Sequence, residues 1–120
     1  MGDYKDLTVY QKAYKLAMEI FNVSRAFPIE EKFALTSQIR RSSRSVCSNF
    51  AEGYRKRRYL AHFISKLSDC ESENTETEVW IDFAHDCNYI DQKTHSDWFK
   101  INSEVRKLIF HMINNTDKYL

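Results

Sequence analysis

The stretch Phe63–Ala84, FISKLSDCESENTETEVWIDFA, decides the fold. Phe63, Leu67, Cys70, Asn74, Thr77, Ile81 and Ala84 recur at alternating steps of four and three, the seam of a long helix packed on other helices. The segment around it, 58–89, would span ~45 Å as a helix. The middle of this seam is small or polar where leucine is expected. A buried Asn or Thr without a partner costs about 1–3 kcal/mol. A hydrogen-bonded layer is therefore expected at Asn74, Glu76, Thr77 and Glu78, with the serines or arginines of the preceding segment as partners.

Three more helical segments flank it. In 7–27, Val9, Ala13, Leu16, Ile20, Val23 and Phe27 keep 4-3-4-3-4 spacing. Asp6 is placed to cap that helix and Pro28 to close it. A second stripe of Tyr10, Tyr14, Ala17 and Phe21 widens its apolar side. In 34–54, Leu35, Ile39, Val46 and Phe50 mark the buried side among five serines (Ser37, Ser42, Ser43, Ser45, Ser48), and Gly53 stands where a C-cap glycine belongs. Asp91 is the expected N-cap of 92–119, whose stripe is Trp98, Ile101, Val105, Leu108, Met112 and Ile113, broadened by Ile109 and Phe110. The short connections suit antiparallel neighbours in an all-α four-helix bundle, a single domain over 1–120. The first and fourth helices carry more apolar surface than one core absorbs, and self-association is the simplest remedy.

Composition removes several classes of function. The 120 residues include two glycines and one proline. Phosphate-cradling loops, dinucleotide fingerprints and nucleophile elbows need more glycine than that. Three cysteines, with no CxxC pair, fit reduced thiols in a cytoplasmic protein rather than a disulfide framework. No run is apolar enough for a membrane span, and the charged start lacks a signal-peptide core.

The formal net charge of +1 conceals a polar distribution. Residues 40–58 hold seven cations (Arg40, Arg41, Arg44, Arg55, Lys56, Arg57, Arg58) against Glu52. Residues 69–86 hold seven acids (Asp69, Glu71, Glu73, Glu76, Glu78, Asp82, Asp86) and no lysine or arginine. Arg40 and Arg41 lie mid-helix and suit a structural role opposite Glu76 or Glu78. Arg57 and Arg58 oppose the dipole at the start of the third helix without an evident structural return. The run Tyr54-Arg55-Lys56-Arg57-Arg58-Tyr59, with Arg44, is the candidate nucleic-acid site: the cations would hold phosphates and the tyrosines stack bases. A solvated turn is the competing reading of the same run.

No metal or catalytic constellation forms. Asp82 and His85 have the i, i+3 spacing of half a bundle metal site, but no second copy or facing carboxylates complete it, and His62, His95 and His111 fit no zinc pattern. Cys47, Cys70 and Cys87 read as small core residues. No cofactor and no enzymatic activity are expected.

The segment Leu35–Gly53, LTSQIRRSSRSVCSNFAEG, resembles the signature of the four helix bundle protein family, first recognised as products of intervening sequences in bacterial 23S ribosomal RNA genes. Tyr4–Ala13 (YKDLTVYQKA), Asn74–Ala84 (NTETEVWIDFA) and Cys87–Ile90 (CNYI) resemble it as well. The resemblance implies an up-and-down bundle, a ring-like homopentamer and no enzymatic activity. The chain is also similar to the accessory protein of diversity-generating retroelements, which implies RNA or DNA, and a reverse transcriptase or other protein, as partners. Cys47 replaces the family's usual proline, and Arg-Lys-Arg-Arg replaces a turn that commonly carries a Ser cap. The resulting expectation is an RNA-binding or accessory oligomer. The other expectation is a protein–protein scaffold that uses the acidic face of the third helix.

Overall fold

The computed structural model describes residues 2–120. Four helices carry the fold: α1 (Thr8–Ser24), α2 (Leu35–Arg55), α3 (Leu60–Asp86) and α4 (Gln92–Asn114), with 3-10 turns at Tyr4–Asp6, Ile29–Glu31 and Thr116–Tyr119 and no strand among the described residues. Each helix packs on its sequence neighbour, and α1 also packs on α4, in a body of 44 × 25 × 20 Å.

All seven seam positions of α3 are buried. The α1 seam holds except at Val23: Phe27 is buried as expected, though beyond the end of the helix at Ser24. Ser24 takes the buried place, accepting from Arg40 Nε at 2.8 Å, while Val23 is exposed. Asp6 does not cap α1. It closes a capping box with Asp3 around the 3-10 turn, and Leu7 begins α1 without a side-chain cap. Asp91 does cap α4, accepting from Thr94 N at 2.8 Å. On α4 the buried set is Trp98, Asn102, Val105, Ile109 and Met112, so Asn102 rather than Ile101 faces inward.

Gly53 is not a C-cap. α2 continues to Arg55, and a Cβ on Gly53 would lie 2.7 Å from Lys66 Cβ. The missing side chain lets α2 and α3 approach closely. α2 also runs without a break through Cys47.

The apolar interior forms two clusters. Phe50, Tyr54, Phe63, Leu67, Val105 and Ile109 dominate one, and Ile20, Phe27, Ile39, Ile81 and Trp98 the other. In sequence, the buried polar residues Ser42, Ser43, Asn74, Thr77 and Asn102 fall between them. Asn74 Nδ2 donates to the backbone O and Oδ1 of Asn102, both at 3.0 Å, and Asn102 Nδ2 donates back to Asn74 O at 2.9 Å. Thr77 Oγ1 lies 2.9 Å from Ser42 Oγ. Of the residues expected in a polar layer, Asn74 and Thr77 are buried and hydrogen-bonded, Thr77 to a serine of α2, whereas Glu76 and Glu78 lie outside it in partly exposed ion pairs. Asn74, however, is met by α4 rather than by α2. Its own Oδ1 is left without a partner among the described residues.

The apolar surplus is real but wider than expected. Tyr14, Met18, Phe99 and Phe110 are exposed on α1 and α4, yet so are Leu60, Ile64, Val79 and Phe83 on α3 and Ile29 and Phe33 before α2.

Candidate nucleic-acid interface

The expected basic site divides into parts with different commitments. Tyr54 is 1% exposed and belongs to the core with Phe50, its i−4 neighbour, so its ring is closed to a base. Arg57 turns back toward α2: its guanidinium lies 4.0 Å from the Tyr54 ring centroid, and Nη1 donates to Tyr54 O at 2.9 Å. That contact places a cation on a terminal carbonyl of α2, where the helix dipole favours it. The dipole penalty expected for Arg57 therefore does not arise, and Arg57 is a helix-end clamp. Arg55 leans over Tyr4 and meets Asp3 at 3.4 Å. Lys56 and Arg58 are exposed and form no ion pair among the described residues. Arg58 stands 5.1 Å over the exposed Tyr59 ring. Shallow depressions of about 660 Å³ (Tyr4, Arg55, Lys56, His62) and about 430 Å³ (Arg55, Arg57, Arg58, Leu120) flank this corner.

Arg44 lies apart from that corner along α2, above the α1/α2 groove. Its guanidinium sits 5.4 Å from the centroid of the Phe21 ring, which it shares with Arg25 at 5.8 Å and Arg40 at 4.9 Å. Tyr4, Tyr10 and Tyr14 form an aromatic row of their own at centroid spacings of 4.9 and 5.9 Å. The groove holds about 420 Å³ between Tyr10, Tyr14, Met18, Arg44, Ser48 and Ala51. A row of rings edged by arginines offers stacking and cation–π surface. The sequence reading missed this row because it sorted the tyrosines into a second apolar stripe. Their alignment with Arg44 on the neighbouring helix was visible only in three dimensions.

The proposed acidic partners are distributed differently from expectation. Arg41 binds Glu73 at 2.8 Å and Glu76 at 2.5 Å, and this contact holds the Glu76 carboxyl below its ordinary range. Arg40 goes to Ser24 and Phe21 instead. Glu78 pairs with Arg106 on α4 at 3.2 Å.

At the α3/α4 corner, His95 Nε2 lies 2.8 Å from Asp82 Oδ1, and the His85 and His95 rings are 4.7 Å apart. No group of three or more His, Cys, Asp or Glu among the described residues is arranged to hold a metal ion. Burial pushes the Cys47 thiol up to about 11 and raises Cys70 further, which disfavours a thiolate at either. Cys87, expected in the core, is exposed just past the end of α3. No helix among the described residues is long and apolar enough to cross a membrane.

A family model described as 23S rRNA-intervening sequence protein matches residues 5–111. The chain belongs to that family. It is similar to a Bacteroides thetaiotaomicron protein of the S23 ribosomal protein family, whose 1.70 Å crystal structure describes it as a protein of unknown function. The two share 29% identity over 88% of this chain and 98% of that one, with a TM-score of 0.79. No curated protein matches the sequence. In this intervening-sequence family member, the Leu35–Gly53 motif supplies Ser42 to the polar layer, Arg41 to the α3 carboxylates and Gly53 to the close approach of α3.

Proposed function

We propose that this protein is a non-enzymatic, cytoplasmic RNA-binding module. Its form is an up-and-down bundle repeated in a homopentameric ring, so that a weak site on each copy is multiplied by symmetry. The observation that carries the reading is the exposed corner where Lys56 and Arg58 stand without carboxylate partners among the described residues, beside the open Tyr59 ring. Phosphates would meet Lys56, Arg58 and the weakly held Arg55, and a base would stack on Tyr59. The pairing of core positions along successive helices supports the up-and-down order, and the exposed apolar side chains support assembly.

The test is fluorescence anisotropy with a labelled single-stranded RNA over a salt series. Each phosphate contact contributes a slope of about −0.7 in log K against log salt. The triple change Arg55→Ala, Lys56→Ala, Arg58→Ala should weaken binding and flatten that slope by about 2. Unchanged affinity and slope would remove this site. Arg57 is left intact because it clamps α2.

A scaffold reading is favoured by one observation: Asp69 and Glu71 on α3 form no ion pair among the described residues. Capture of a basic protein by the RNA-free chain, lost on Asp69→Lys, would support it.

A further inference from the structure

The outward side of α3 lacks charge for most of its length. Ala61, Ser65, Ser68, Ser72, Thr75 and Val79 follow one another along it, and every one is exposed. They cover ~27 Å of helix surface in a chain that is 29% charged. A helix side that stays in water is ordinarily polar and charged. Small side chains here would let another backbone approach closely, and Leu60, Ile64 and Phe83 leave apolar surface uncovered at the two ends. The carboxylates of Asp69 and Glu71, in no ion pair among the described residues, border the strip.

The α1/α2 groove is the counterpart. Its floor is apolar at Ala17 and Ala51, its wall carries the exposed Tyr14 and Met18, and Arg44 stands on its rim; Arg25 and Arg40 join Arg44 on the nearby Phe21 ring, and none of the three forms an ion pair among the described residues. One surface is a narrow uncharged ridge edged by acids, the other an aromatic trough edged by arginines. We infer that the outer face of α3 in one copy seats in the α1/α2 groove of the next copy. This rests on the assembly reading given above and names its faces.

Because ridge and groove are different surfaces of the chain, the proposed contact is head to tail: an open row of copies keeps one free ridge at one end and one free groove at the other until a ring closes. A symmetric two-fold contact has no such property, and this gives a decisive test. Met18→Glu spoils the groove and spares the ridge. Ser72→Arg spoils the ridge and spares the groove. Both positions are exposed, so helix content by circular dichroism should match that of the unaltered chain; Arg44→Glu and Thr75→Arg replace either variant that fails to fold.

In sedimentation, the unaltered protein should run as a multimer and each variant alone as a 14.3 kDa chain. Mixed in equal amounts, the two variants should form particles of two chains and nothing larger, and salt should dissociate them. A multimer that survives both substitutions, or variants that stay apart when mixed, would overturn the assigned faces while leaving assembly intact. An unaltered chain that sediments as a monomer would overturn both.

Discussion

α2 has two sides with opposite fates. Toward α3 it is closed: Gly53 presses on Lys66, Ser42 meets Thr77, and Arg41 grips Glu73 and Glu76. Toward α1 it is open, with a groove of about 420 Å³ and arginines resting on the Phe21 ring instead of on carboxylates. Neighbouring residues take different sides, Arg41 serving the closed one and Arg40 the open one. Charges that find partners within the chain hold its shape. Arg25 and Arg44, which rest on a ring and on no carboxylate among the described residues, keep their capacity to bind something else.

The closed side breaks most readily at Gly53. Gly53→Val forces a side chain against Lys66 Cβ and should lower the unfolding free energy by about 2–3 kcal/mol. Urea titration measures this, and a loss below about 0.5 kcal/mol would mean that the helices separate freely.

Arg41→Ala should cost less, about 0.5–1 kcal/mol at neutral pH, because the guanidinium is half exposed. Arg41 keeps the folded Glu76 carboxyl below its ordinary 4.5. The stabilisation is therefore complete above that value and disappears as pH falls through the depressed folded value. Denaturation curves of the two proteins should converge in acid; an offset independent of pH would break the assignment.

Tyr54→Phe sharpens the same side in the other direction. The Tyr54 hydroxyl is buried without a partner among the described residues, so its removal should raise stability by about 0.5 kcal/mol and lift Tm slightly. A drop would mean that the hydroxyl is solvated.

On the open side, Tyr14→Ser should leave the stability of the dissociated chain within about 0.5 kcal/mol. A larger loss there would erase the contrast between the two sides.

The helices were legible because their seams are regular: every seam residue named on α3 is buried, and Asp91 caps α4. Asn102 was missed although it stands four after Trp98 and three before Val105, seam spacing on both sides. An asparagine does not register in a search for apolar residues, even where a buried amide on a facing helix needs it. Tyr54 had the same kind of signal, four after Phe50 and eight after Val46, but the basic run beside it suggested a surface. Gly53 was different in kind. A glycine near a helix end suits both a cap and a close approach, and only the position of Lys66 separates them. The division of Arg55, Lys56, Arg57 and Arg58 was likewise illegible, since it depends on which ring or carbonyl each guanidinium can reach.

The amides that separate the two apolar clusters also shape how the molecule breathes. Loosening that begins at the Trp98 compartment meets Asn74, Thr77 and Asn102 first, groups that can trade protein partners for water. Phe50 and Phe63 lie beyond that checkpoint. Backbone protons on its two sides should exchange as separate populations, with α1, apolar across the junction at Ala13, Leu16 and Ala17, as the rod that joins them.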